Sequence, residues 1–151
     1  MELWELVARE SMRQLMTDYT AASDRFDLQA LAACFTPVGV LEYTGGAEPL
    51  RGRDAIVAGL TAAVRRPAGR QNDHGPRPSP AFVRHHVSSV RFGAVEREHA
   101  EAQSYFAVYT DAGADHWGRY RDTLMLVDDR WLFAHRTVTV DAFSSTSLMA
   151  G

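Results

Sequence analysis

Apolar positions at the start of the chain recur every three or four places: Leu3, Leu6, Val7, Met12, Leu15, Met16 and Tyr19. That spacing predicts an amphipathic helix ending near Ala22-Ser23-Asp24. Asp27 reads as the N-cap of a short second helix carrying Leu28, Leu31 and Phe35, which Pro37 stops. Val38 to Tyr43 reads as a strand closed by a turn at Gly45-Gly46. Asp54 caps a third helix with Ile56, Val57 and Leu60 on one face, and Pro67 ends it. Residues 67–80 hold four of the six prolines, so a long flexible surface loop is expected there.

Beyond Pro80 the period changes to two. Phe82 to Phe92, Ala100 to Thr110, Trp117 to Val127 and Trp131 to Val140 are β-rich runs. Turns are expected at Gly93, at Asp111-Ala112-Gly113 and at Asp128-Asp129. Short connections imply antiparallel neighbours. The tail, 144–151, is small and polar and is expected to be loose. Helices followed by a meander predict an α+β fold, with the helices laid on the concave face of a coiled sheet. Partial cover of that face leaves a mostly apolar pocket for a small molecule.

Composition narrows this picture. A chain of 151 residues is expected to form one domain over 1–151. Net charge is −3 with acids and bases interspersed, so no basic stripe offers a nucleic-acid surface. Cys34 is the only cysteine, which excludes an intrachain disulfide and suits a reducing compartment. The first residues carry acids where a signal peptide carries bases, and no apolar run approaches the roughly 20 residues of a membrane span. A cytoplasmic location is expected.

Six local patterns then fall in order. Tyr19 and Asp24 stand five apart at the end of the first helix. Gly52-Arg53-Asp54-Ala55-Ile56 opens the third. Arg84-His85-His86-Val87-Ser88-Ser89 begins the first long strand, and Ala102-Gln103-Ser104-Tyr105 lies on the next. Gly118-Arg119-Tyr120-Arg121-Asp122 and Trp131-Leu132-Phe133-Ala134-His135-Arg136 complete the series. Together, over Leu6 to Asp141, they resemble the SnoaL-like group of the nuclear-transport-factor-2 superfamily. The resemblance implies a cone-shaped α+β barrel with a deep pocket. It also implies a family of ketosteroid isomerases, scytalone-type dehydratases, polyketide cyclases and non-catalytic binding modules, many of them paired through the convex sheet face. Such a fold supplies a cavity and leaves the reaction open.

His85 stands where the resemblance places a dehydratase's catalytic histidine. A neutral imidazole in a pocket can take a proton next to a carbonyl. Asp24 is its natural partner, fixing the tautomer, although it could itself be the base or merely cap a turn. Tyr19 could donate to an enolate oxygen or simply fill the core. Tyr43, Tyr105, Tyr109 and Tyr120 are candidate substrate contacts. Alternation puts Tyr105 and Tyr109 on one face, inward or outward. Arg136 could bind a carboxylate or phosphate-bearing tail, or pair structurally with Asp122 or Asp24. The sequence departs from the dehydratase pattern on the strand after the histidine, where Ala107, Val108 and Tyr109 replace a polar catalytic group. Thr110 and Asp111 stand at its end; Tyr109 could substitute there, but an elimination mechanism is weakened.

No metal site is expected. His85 and His86 are strand neighbours facing opposite ways, and His74, His99, His116 and His135 show no ligand spacing. No nucleotide fingerprint, phosphate-cradling loop or nucleophile elbow occurs, and Cys34 reads as a core residue. These patterns predict a cofactor-independent dehydratase, isomerase or cyclase using a His–Asp pair on a hydrophobic carbonyl compound, working as a homodimer. The alternative is a non-catalytic binding or subunit-assembly module.

Overall fold

The computed structural model describes residues 1–65, 80–147 and 149. All of the 67–80 loop except Pro80 lies outside them, as do His74 and tail positions 148, 150 and 151.

The first helix, α1, spans Leu3–Asp24. At 1.5 Å per residue it is about 33 Å long. Its side chains become fully buried only from Ala8 onward, through Met12, Leu15, Met16, Tyr19 and Ala22. Leu3, Leu6 and Val7 share the apolar spacing but remain exposed. Phe26, in the left-handed region at φ 54°, turns the chain toward α2 at Leu28–Ala33. As expected, the Asp27 side chain caps α2, accepting from the Ala30 amide at 3.1 Å.

The helix is shorter than the sequence suggests. Cys34 ends it, and Phe35 opens strand β1, Phe35–Tyr43. Pro37 therefore sits inside a strand rather than stopping a helix. It falls where the register with the neighbouring strand shifts, between Phe35 and Val40, so its missing N–H breaks no regular ladder. A two-residue strand, β2 (Leu50–Arg51), leads into α3, Arg53–Arg65.

The meander follows as β3 (Val83–Val95), β4 (His99–Thr110), β5 (Gly113–Val127) and β6 (Arg130–Phe143). Gly93 is not a turn: β3 continues to Val95, and the reversal comes at Glu96, whose amide donates to the His99 carbonyl. Asp128 and Asp129 both take positive φ, 49° and 61°, forming the two-residue hairpin anticipated there. Sheet order is β2-β1-β6-β5-β4-β3. All pairings are antiparallel except β1 with β6, which is parallel.

Register shifts interrupt most of the long pairings, and such bulges bend and twist a sheet. At one of them Gly118 lets β5 approach β6 closely: a Cβ there would sit 1.9 Å from the Thr139 carbonyl oxygen. The helices pack on the concave side. Met12, Leu15, Met16 and Tyr19 of α1 join Phe35, Leu41, Phe106, Leu124 and Phe133 in one core.

Candidate functional site

The end of α1 and the start of β3 bring Asp24 and His85 together. Asp24 Oδ1 lies 2.6 Å from His85 Nδ1, and the same carboxylate accepts the His85 backbone N–H at 3.1 and 3.3 Å. Asp24 thus bridges α1 to β3 instead of capping its own helix. An ionised carboxylate only accepts, so Nδ1 carries the hydrogen and Nε2 keeps a free lone pair. Burial, the strongest influence, pulls the imidazole below its ordinary value. The hydrogen bond and charge of Asp24 oppose this but do not reverse it. His85 is therefore neutral near pH 7, the form that can take a proton. Its side chain keeps 16% of its surface exposed and Asp24 keeps 14%, so solvent reaches the pair.

Deeper between helix and sheet lies an aromatic cluster around a buried charge. The Tyr19 ring meets Phe35, Tyr120 and Phe133 edge-on at 6.1, 6.3 and 5.7 Å. Tyr120 stacks on Phe106 at 4.6 Å. Desolvation raises both phenols above their ordinary value, so each stays a neutral donor. Arg136 is fully buried among these rings, 4.4 Å from Tyr19, 3.9 Å from Tyr120 and 4.1 Å from Phe133.

Of the roles open to Arg136, the structure gives it the pairing with Asp122. Nε and Nη2 each donate to a carboxylate oxygen at 2.8 Å. Burial, the largest single influence, would lower the guanidinium, but Asp122's charge and hydrogen bonds act together with Tyr19 and Tyr120 to make the net shift upward. Nη1 has no hydrogen-bond partner among the described residues, and neither does the buried Ser104 hydroxyl. Tyr43, opposite Val138 of β6, retains 36% exposure at the edge of this cluster.

Tyr105 and Tyr109 are not brought to the site. They alternate with the buried Ser104, Phe106 and Val108, so they point away from His85 onto the convex face. There Tyr105, Tyr109, His86 and Trp117 line an open groove of about 610 Å³. Tyr109 therefore cannot supply the polar group missing from β4.

A second histidine, given no role by the sequence pattern, lies two strands from the first. His85 pairs with Val108, and Val108 with His116, so the three lie side by side across β3, β4 and β5. His116 Nδ1 lies 2.7 Å from Asp115 Oδ2, and the Ser147 hydroxyl donates to that same oxygen at 2.7 Å. Neighbours on a regular strand point to opposite faces, which is why Asp115-His116 carries no pairing signal. A bulge changes that. Val108 is opposite His116 and Tyr109 opposite Ala114, leaving Asp115 as an extra residue. Among the described residues, no three or more His, Cys, Asp or Glu side chains converge as a metal site.

Comparison with solved structures agrees with this architecture. A protein from Catenulispora acidiphila, solved in complex with S-DNPA, superimposes with a TM-score of 0.74 at 25% identity, covering 90% of this chain and 95% of that one. A proposed scytalone dehydratase from Novosphingobium aromaticivorans gives 0.77 at 21% identity, over 98% and 93%. LinA gives 0.73 at 16% identity, over 94% and 91%. No curated protein matches the chain by sequence. The SnoaL-like domain family matches residues 4–137, nearly the whole chain, and with the helix-covered curved sheet this establishes that the chain belongs to the SnoaL-like family of the nuclear-transport-factor-2-like superfamily.

Proposed function

We propose that this protein is a cofactor-independent acid–base enzyme acting on a hydrophobic carbonyl compound, such as a polyketide or steroid-like ring. The observation that carries this reading is the Asp24–His85 contact. One carboxylate fixes both the backbone and the ring of a neutral, solvent-reached imidazole. Membership supports it, since the family includes scytalone dehydratase, polyketide cyclases and isomerases.

In this mechanism His85 Nε2 removes a proton α to the carbonyl. The carbon–hydrogen electron pair moves toward the carbonyl, giving an enolate. Asp24 stabilises the imidazolium that forms and holds its tautomer. Tyr19, a neutral phenol, donates toward the developing oxyanion. Tyr43 and Tyr120 shape the surrounding wall, while Arg136 stiffens its base from behind. The convex groove lined by Tyr105, Tyr109 and Trp117 supports a homodimer formed through that face.

Deuterium uptake tests the mechanism across a whole class of compounds at once. A panel of polycyclic hydroxy-ketones is incubated in D₂O and followed by mass spectrometry. The expected result is enzyme-dependent α-deuteration of at least one compound. Loss of at least about a hundredfold in rate is expected for His85→Gln and for Asp24→Asn. Full exchange in both variants would sink the mechanism. A ligand that binds yet is recovered undeuterated after long incubation would identify a binding module instead.

A further inference from the structure

Phe26 holds a backbone conformation that its side chain does not suit. Its φ of 54° lies in the left-handed region, which crowds a Cβ and favours glycine. The Phe26 amide donates to the Ser23 carbonyl and the Asp27 amide to the Ala22 carbonyl, both at 3.0 Å. These are the two bonds of a Schellman turn, whose left-handed position, here Phe26, is usually a glycine. The chain does use glycine at positive φ elsewhere, at Gly45, Gly52 and Gly113. Its other residues of this kind are the small polar Ser89, Asp128 and Asp129. Among the described residues Phe26 is the one large apolar side chain held this way.

Packing does not offset this strain. Phe26 is 56% exposed and joins no part of the hydrophobic core. Among the described residues no aromatic ring stacks on it and no guanidinium covers it. The exposed Phe82, by contrast, has the Arg84 guanidinium over its ring at 5.1 Å. Backbone strain that local packing does not explain points to a functional site. The position of Phe26 names that site. It follows Asp24 by two residues, so the two Cα atoms are at most about 7.6 Å apart. On the interior side the Asp24–His85 pair is closed: Val108, beside His85 across the sheet, is 1% exposed, and Phe106 is buried. Solvent therefore reaches the pair from its outer side, at the end of α1, where Phe26 stands.

We infer that Phe26 is a substrate contact, its ring packing against the part of a fused-ring carbonyl compound that lies outside the Asp24–His85 pair, so that the site selects extended flat substrates over single-ring ones. This rests on the proposed role of His85 as base. A fused-ring ketone that presents its carbonyl to His85 extends beyond the narrow opening. Its outer ring then meets the exposed face of Phe26 instead of water, and both apolar surfaces are buried. Aromatic pairs gain further from offset or edge-on contact. A single-ring ketone ends before it reaches Phe26 and gains none of this. The Schellman turn fixes the backbone beneath the ring before the ligand arrives, which lowers the ordering cost of the contact.

The test sets stability against affinity in Phe26→Gly and Phe26→Tyr. Dissociation constants for 1-tetralone, a fused two-ring ketone, and for cyclohexanone are measured by calorimetry, and α-exchange of each ketone is followed in D₂O. Glycine suits the turn, so Tm of Phe26→Gly should rise by about 2–4 °C. Its affinity for 1-tetralone should nevertheless weaken at least about tenfold, while that for cyclohexanone stays within about threefold. Exchange of bound ketone at saturation should also stay within about threefold, since the contact serves binding and not proton removal. Phe26→Tyr, which keeps the ring, should bind 1-tetralone within about threefold of wild type. Equal affinity of wild type and Phe26→Gly for 1-tetralone would overturn the contact. So would a lower Tm in Phe26→Gly, which would make the ring a packing element, or no binding of 1-tetralone by wild type up to its solubility. Exchange that proceeds without any dependence on Phe26 removes this inference alone. Phe26-dependent binding with no exchange in wild type upholds the contact and removes the base assignment of His85.

Discussion

Replacing Asp122 by leucine removes the carboxylate that faces Arg136 while keeping the same branched set of side-chain heavy atoms. The lost contacts are two charge-assisted hydrogen bonds at 2.8 Å, between side chains with no solvent exposure. Bonds to charged groups contribute about 1.5–3 kcal/mol each, so their loss amounts to roughly 3–6 kcal/mol. That agrees with the roughly 3–5 kcal/mol expected when one partner of a buried pair is removed. The rings of Tyr19, Tyr120 and Phe133 still face the guanidinium, but they cannot accept its N–H groups as a carboxylate does. A chain of this length loses roughly 2–4 °C per kcal/mol, so a cost of about 3–5 kcal/mol should lower Tm by about 6–20 °C. Adding Arg136→Met removes the stranded charge. The double variant should recover to within about 2 kcal/mol of wild type, because apolar replacements of buried pairs are often neutral. Urea denaturation of wild type, both single variants and the double closes the cycle, with midpoint and slope read separately. A double variant no more stable than the weaker single would show that the charge pair is not what holds this region. So would a cost below about 1 kcal/mol for Asp122→Leu.

Other outcomes follow from the same geometry. Asp24→Asn still offers an oxygen to the His85 amide but presents an uncharged group to the ring, so turnover should fall about 10²–10⁴-fold while Tm changes little; equal losses of activity and stability would contradict this. The folded-state value of His85 lies below its unfolded value, so the unfolded chain binds more protons in that window. This part of the stability is complete above about pH 6.5 and is lost as pH falls toward and past the folded value. His85→Gln should flatten the urea midpoint's fall between about pH 7.5 and 5.5, and an unchanged slope would refute the sign. Gly118→Ala forces a Cβ to within 1.9 Å of the Thr139 carbonyl and should cost more than about 4 kcal/mol. Gly93→Ala, whose nearest neighbours lie at 3.6 Å, should stay within about 1 kcal/mol; similar midpoints for the two would be a failure.

Strong periodicity made the major elements legible. The 22-residue α1, the Asp27 cap and the four long strands follow from apolar spacing and turn residues that act locally. Features set by distant partners were not legible. Phe35 and Pro37 belong to a strand because β6 is there to pair with it, and nothing near Pro37 announces a bulge that spares its missing N–H. The site divides the same way. Asp24 and His85 were readable as a pair through family resemblance, and Arg136 with Asp122 as one of three alternatives. The faces of Tyr105 and Tyr109 needed the register. The Asp115–His116 contact is not legible because strict alternation separates the two residues, and only the extra residue opposite Val108 and Tyr109 lets them meet.

The parallel pairing of β1 with β6 also bears on how the molecule assembles. The cross-strand contact of Glu42 with His135 joins residues 93 apart, and Asp24 reaches His85 across 61. The hairpins β3–β4, β4–β5 and β5–β6 close short loops and can nucleate early, whereas contacts of such long separation carry a larger entropic barrier. The Asp24–His85 contact forms only when the helical segment docks on the meander. In the proposed mechanism, recovery of α-exchange during refolding would therefore time the joining of the two halves of the chain, a later event than formation of the sheet that carries His85.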